Sequence, residues 1–267
     1  MFKKKSFLTL LILLFLVFIL IFLTNIVYAS YLNKTSFENS VEKISSNNDK
    51  EVFSINKIVY FSSAGATTNV NNGSLNIKNL FQYTDIAIYI NNNSNNQNYS
   101  LENTLKSVYI DNINYNKTPD FGNAELYYKN INNFAKDIFI EDNKIKDQLI
   151  FDVTSEDTLD YSEAILYNNC ANPITLSYLN NNIKNNYLLT NSETAITYDG
   201  SLLKKSNILL NSIACSISFN INIVNNLDER FICPIYINIP LNNKKTSIYS
   251  GNFNLIDNTN YTFFRYK

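Results

Sequence analysis

Hydrophobic and polar positions divide the chain into two textures. From Phe7 to Val27 the residues are apolar, interrupted by Thr9, Thr24 and Asn25, and no charge lies among them. At about 1.5 Å of rise per residue, a helix of that length spans a hydrocarbon core of roughly 30 Å. From Val52 onward, apolar residues come instead in short β-branched and aromatic runs separated by Asn, Asp and Gly. The clearest two are ACSISFNINIV (214–224) and FICPIYINIPL (231–241). Cys215, Ile217, Phe219, Ile221 and Ile223 alternate with Ser and Asn in the first. Phe231, Cys233, Ile235, Ile237 and Ile239 repeat the pattern in the second. A period of two with one apolar face is a half-buried strand. Matching the apolar faces pairs Ile223 with Phe231, Ile221 with Cys233 and Cys215 with Ile239.

The same reading predicts strands at 55–61, 74–79, 83–91, 107–114, 124–129, 148–154 and 164–168, then at 174–180, 187–190, 195–198, 213–224, 231–241, 247–255 and 261–266. Residues 131–143 and 202–210 are the candidates for helix, and Asp199-Gly200 is a hairpin signal. Many short strands with regular turns predict a β-sandwich. The expected fold is therefore mainly β, an N-terminal transmembrane helix followed by an extracytoplasmic antiparallel β-sandwich, as one domain or a pair. Residues 1–6 read as a cytoplasmic basic tail, 7–28 as the transmembrane helix or uncleaved signal-anchor, 29–51 as a stalk and 52–267 as the sandwich region. Any division of that region falls near 137–147.

Lys3, Lys4 and Lys5 precede the apolar run, which keeps that end in the cytoplasm and places the chain beyond Ser30 outside. The run is longer than a signal-peptide core, but Val27-Tyr28-Ala29 also suits a signal peptidase. Retention gives a single-pass membrane protein; cleavage after Ala29 gives a secreted one. KKKSFLTLLILL resembles the opening of a type IV prepilin, although Ser6 stands where that family has Gly and no glutamate follows in the helix. AILYNNCANPITLSYLNN resembles strand–turn–strand segments of Ig-like bacterial surface sandwiches. FQYTDIAIYI and FICPIYINIPL resemble segments of N-terminally anchored envelope proteins of AT-rich Gram-positive bacteria, which implies a location rather than an activity.

Composition narrows the functions. The chain has 22 basic and 23 acidic residues, and without Lys3, Lys4 and Lys5 acidic residues exceed basic ones by four. Phosphate affinity rests on clustered Lys and Arg, so nucleic acid is not an expected partner. With five Gly and four Pro, Asn becomes the expected turn former, because it tolerates the left-handed region. The absence of His removes Ser-His-Asp and Cys-His catalysis and His-ligated zinc. Of the three cysteines, Cys215 and Cys233 lie roughly 20 Å apart in the register above, beyond disulfide reach. Pairing of Cys170 with either is left open.

Two chemistries remain to weigh. Ser54-Ile55-Asn56-Lys57 and Ser201-Leu202-Leu203-Lys204 match Ser-x-x-Lys, with Lys245-Thr246-Ser247 as a mimic of a downstream Lys-Thr-Gly. That chemistry needs Ser and Lys one helical turn apart on one face, whereas Ser54 leads into a strand. Asp152, Glu156, Asp157, Asp160 and Glu163 form an acidic loop without the spacing of a calcium loop. No residue is thus assigned to catalysis, a cofactor or a metal. The expected function is a structural or protein-interaction role in the cell envelope, tethered to the lipid bilayer through residues 7–28 and engaging an envelope protein or a glycan. Open edge strands would invite strand addition by a partner. The alternatives are a secreted or anchored glycan- or wall-binding protein, which requires a groove with Tyr and paired carboxylates, and a pilin-like subunit.

Overall fold

A computed structural model describes residues 52–71, 74–92, 99–129, 141–156, 164–189, 196–259 and 261–266, together with scattered positions between 15 and 35. The chain divides into two compact units, Met1–Asp49 and Lys50–Lys267. In the first, the described positions from Phe15 to Thr35 are helical. Phe15, Phe18 and Phe22 are 66%, 74% and 62% exposed, and Val17, Ile19, Ile21 and Leu23 are exposed as well. Among the described residues no helix is long and apolar enough to cross a membrane. The basic tail, Val27, Ala29 and the stalk from 36 to 51 lie outside the described residues, as does part of the apolar run.

The second unit is mainly β and builds two sheets. Its strands are β1 (Phe53–Asn71), β2 (Ser74–Asn92), β3 (Leu105–Lys117), β4 (Asn123–Tyr128), β5 (Leu149–Thr154), β6 (Ile165–Tyr167) and β7 (Ile174–Lys184). They continue as β8 (Tyr187–Leu188), β9 (Ser216–Asn225), β10 (Arg230–Asn238), β11 (Phe253–Asp257), β12 (Tyr261–Thr262) and β13 (Phe264–Tyr266). One sheet runs β11-β1-β2-β7-β4, with β12 beside β1 and β8 beside β2; the other runs β13-β10-β9-β3-β5-β6. Each sheet takes strands from both sides of residues 137–147.

The core is what the period-two pattern places inside. Ile58, Tyr60, Ile86, Ile88, Leu176 and Tyr178 of the first sheet are buried, as are Val108, Ile110, Ile221, Ile223, Ile235 and Ile237 of the second. Phe53 of β1 meets Phe231 of β10 edge-on, with ring centroids 5.2 Å apart. Tyr128 of β4 meets Phe151 of β5 in the same way at 6.1 Å. Aromatic contacts therefore join the sheets near both of their sides, the arrangement of a β-sandwich. The β9–β10 register pairs Phe231 with Ile223 and Cys233 with Ile221. Ile239 N donates to Cys215 O at 2.9 Å, and all three cysteines are free thiols. These pairs are the ones the apolar faces predict.

Several expectations change. Segments 74–79 and 83–91 are one continuous strand, β2, which runs through 80–82. Gln82 is fully buried; its amide nitrogen donates to Thr84 Oγ1 at 2.8 Å, while its Oε1 is buried without a hydrogen-bond partner. The pair β5–β6 is parallel within an otherwise antiparallel pairing pattern among the described strands. Asp199-Gly200 opens a one-turn helix, Ser201–Lys205, rather than a hairpin. A Cβ on Gly200 would lie 2.1 Å from the Gly251 carbonyl oxygen and 2.2 Å from that of Ile248, so only glycine allows this approach. Residues 196–199 form no strand, and 247–252 begin with a 3₁₀ turn at Ile248–Ser250 before β11. Of the helix expected at 131–143, residues 131–140 lie outside the described residues and Glu141–Asn143 is a 3₁₀ turn. Asn112, Asn182, Asn186 and Asn207 take positive φ, as expected of the main turn former.

Candidate functional site

Three features of the second unit carry polar or aromatic chemistry in position to be used. The first is at the side of the sandwich, where β4 of one sheet faces β5 of the other. A cavity of about 530 Å³ opens there, lined among others by Tyr128, Asp142, Lys144, Gln148, Phe151 and Asp152. The edge-on pair Tyr128–Phe151 supplies an aromatic wall, and two carboxylates share the lining. Lys144 Nζ is engaged with Glu125 Oε1 at 2.6 Å, while Tyr127 donates its hydroxyl to Glu125 Oε2 at 2.6 Å. Burial works to raise the Glu125 pKa, but the hydrogen bonds from Lys144 and Tyr127 outweigh it and hold the carboxyl below its ordinary value. The site can offer hydrogen-bond acceptors beside an aromatic surface, which suits a polar ligand with hydroxyls and apolar faces.

The second feature is the outer face of the first sheet. Phe61 and Tyr83 pack at 6.2 Å between ring centroids, and Lys57 Nζ lies 4.3 Å above the Tyr89 ring. Phe81 lies across its register partner Gly65, where a Cβ would sit 2.5 Å from the ring. This is the strand signature of an aromatic ring covering a glycine. On the same face Asp85 ion-pairs with Lys129, and Ser177 Oγ donates to Asp85 Oδ1 at 2.8 Å.

The third is the treatment of the edges. The outer edge of β4 is met by Lys144 and Ile145, with Ile145 N donating to Leu126 O at 2.8 Å. On β6 the side chain of Asn172 behaves as a fragment of strand: its Oδ1 accepts from Tyr167 N at 2.7 Å and its Nδ2 donates to Ile165 O at 3.0 Å. β13 covers β10 from Arg230 to Ile232. Because Ile239 bonds towards β9, the even residues of β10 turn their backbone groups to the outer edge, and Pro234 therefore withholds a donor there. These devices cover the edges of β4 and β6 and part of β10, while β11 and β13 are the other end strands of the two sheets.

The residues singled out from sequence are scattered. Ser54 is buried in β1, while Lys57 lies over Tyr89. Ser201 and Lys204 do share a helical turn, but Ser201 Oγ donates to Asp199 Oδ1 at 2.5 Å and Lys204 is exposed. Lys245 N and Thr246 N both donate to Asn243 Oδ1, and Ser247 caps the turn at Tyr249. Asp152 lines the cavity and Glu156 N bonds Thr154 Oγ1; Asp157, Asp160 and Glu163 lie outside the described residues. Burial pushes the Cys233 thiol up to about 12 and raises that of Cys215, which faces Tyr178, so neither is a ready nucleophile. Sequence reasoning missed Asp142, Lys129, Asp85 and Asn172. Asp85 was the one with a signal: a charge inside the apolar run FQYTDIAIYI. No protein-family model, curated protein or solved structure matches the chain.

Proposed function

We propose that the chain is a membrane-tethered extracytoplasmic protein with an Ig-like sandwich and a structural or protein-interaction role in the cell envelope, without catalytic activity. The observation that carries this reading is the N-terminal helix: its described apolar residues are exposed on every side. A helix that is apolar all round needs an apolar surrounding, and a bilayer supplies one. The three lysines ahead of it support the orientation with the sandwich outside. Contacts with an envelope partner have two places to form: the sheet face where Phe61, Tyr83 and Tyr89 stand half-exposed, and the end strands β11 and β13.

The test is fractionation of the producing cell with protease added from outside. Full-length protein in the membrane pellet, with residues 52–267 cut only from the outside, is the expected result. Full-length protein in the soluble cytosolic fraction would overturn it. A released species beginning at Ser30 would favour a second reading, a secreted glycan or wall binder. That reading draws on the cavity in which Asp142 and Asp152 share a lining with Tyr128 and Phe151. Retention on cell-wall polymer that is lost in Asp142→Asn, Asp152→Asn would support it, and an unretained wild-type protein would sink it.

A further inference from the structure

Asp85 lies within β2 and Lys129 directly follows β4, the two strands that flank β7. Their side chains meet across β7 as an ion pair, with exposures of 7% for Lys129 and 17% for Asp85. The other lysine–carboxylate pairs among the described residues are far wetter: 53% and 73% for Lys106–Asp228, 68% for both members of Lys146–Glu141, and 26% for both of Lys144–Glu125. The buried pair is also held in place. Ser177, the register partner of Asp85, donates its hydroxyl to Asp85 Oδ1 at 2.8 Å. Thr175 Oγ1 donates to the Lys129 carbonyl, and Lys129 N donates to Thr175 O at 3.2 Å. Burying two ions costs free energy that their attraction offsets only in part. An amide in the same place would carry no charge at all.

We propose that Lys129 and Asp85 condense into an intramolecular amide that staples β2 to β4 over β7. The atoms balance without a co-reactant. One ammonium proton passes to Asp85 Oδ2, leaving a neutral amine and a neutral acid. The Nζ lone pair attacks Cγ to form the new C–N bond, while the Ser177 hydroxyl stabilises charge growing on Oδ1. A second proton from Nζ joins the Oδ2 hydroxyl, the C–Oδ2 bond breaks, and water leaves. In dilute solution water opposes such a condensation. Groups fixed against each other by a fold reach effective molarities on the order of 10⁵–10⁸ M, far above that of water itself. Ser177 is a positioning residue in this scheme, holding the carboxyl with one oxygen polarised.

The experiment is a peptide mass map of the full chain, digested after unfolding, so that N-terminal processing does not enter the result. The expected product is a branched peptide joining the segments around Asp85 and Lys129, lighter than their sum by one water, about 18 Da. Asp85→Asn should form the same link with loss of ammonia, about 17 Da, because the amide nitrogen becomes the leaving group. Lys129→Arg should give no branched peptide, and Ser177→Ala should slow its appearance after synthesis. Separate, unmodified peptides carrying Asp85 and Lys129 from a wild-type sample that unfolds cooperatively would overturn the proposal, whatever the variants do.

Discussion

Replacing Asn172 by alanine isolates the edge cover of β6. The substitution removes two hydrogen bonds, from Tyr167 N at 2.7 Å and to Ile165 O at 3.0 Å, and leaves a three-residue strand held on one side by β5. A net hydrogen bond contributes about 1 kcal/mol, so the loss is about 2 kcal/mol. For a unit of this size that lowers Tm by about 4–8 °C. Asn172→Asp keeps the acceptor for Tyr167 N but loses the donor to Ile165 O, and should recover no more than half. The assay is urea unfolding followed by tyrosine fluorescence, with sedimentation velocity at rising concentration. The bared edge predicts self-association in the alanine variant that the wild type lacks. A stability change under about 0.5 kcal/mol together with an unchanged sedimentation profile would refute the idea that the side chain substitutes for a strand.

Phe53→Ala removes the ring shared by Phe231 and Phe263 and should cost about 3–5 kcal/mol, read from the urea midpoint. Gly200→Ala forces a methyl group onto two carbonyl oxygens and should destabilise by at least about 2 kcal/mol, whereas Ser201→Ala, one residue on, should cost under about 1.5 kcal/mol; equal effects would contradict the close approach. Alkaline pH should destabilise the fold. The Cys233 thiol stays protonated up to about 12 in the folded state, while the unfolded chain releases that proton from about 9. Stability then falls with rising pH across that window, by about 1.4 kcal/mol per pH unit for each such group, and Cys233→Ala should flatten that slope. A melting temperature that holds level from pH 9 to 11 in the wild type would count against it.

What could be read from the sequence was whatever period two encodes. ACSISFNINIV and FICPIYINIPL carry enough alternation to fix their mutual register to the residue, because a one-place slip would turn Phe231 and Cys233 outward. Residues 80–82 join the two predicted strands although Gln82 places a polar side chain in the interior, where Thr84 accepts its amide proton and alternation has no way to register that. Gly200 misled because a hairpin signal is local, whereas the approach of Ile248 and Gly251 is set by the rest of the fold. The site-forming residues were harder still. Asp142 and Asp152 are ten positions apart with a strand start between them, and it is the path of the chain from 142 to 152 beside Tyr128, which no periodicity encodes, that puts both on one cavity. Asn172 looked like any other turn asparagine; that it satisfies both backbone groups of a strand edge depends on the geometry of Ile165–Tyr167.

The last strands bear on when this protein can fold at all. β12 pairs with the first residues of β1, and Phe263, 1% exposed, donates its backbone N–H to Phe53 O before the chain crosses to β10 as β13. The first strand of the unit is thus completed by β12, which follows it in the chain by way of ten other strands. The β1–β2 hairpin can form once both strands have emerged, but its outer edge and the Phe53 ring wait for β11, β12 and Phe263. A nascent chain therefore carries an unfinished sheet edge until β11 and β12 have been made, and if it is exported, it can be threaded in an unlocked state and closed only on the far side.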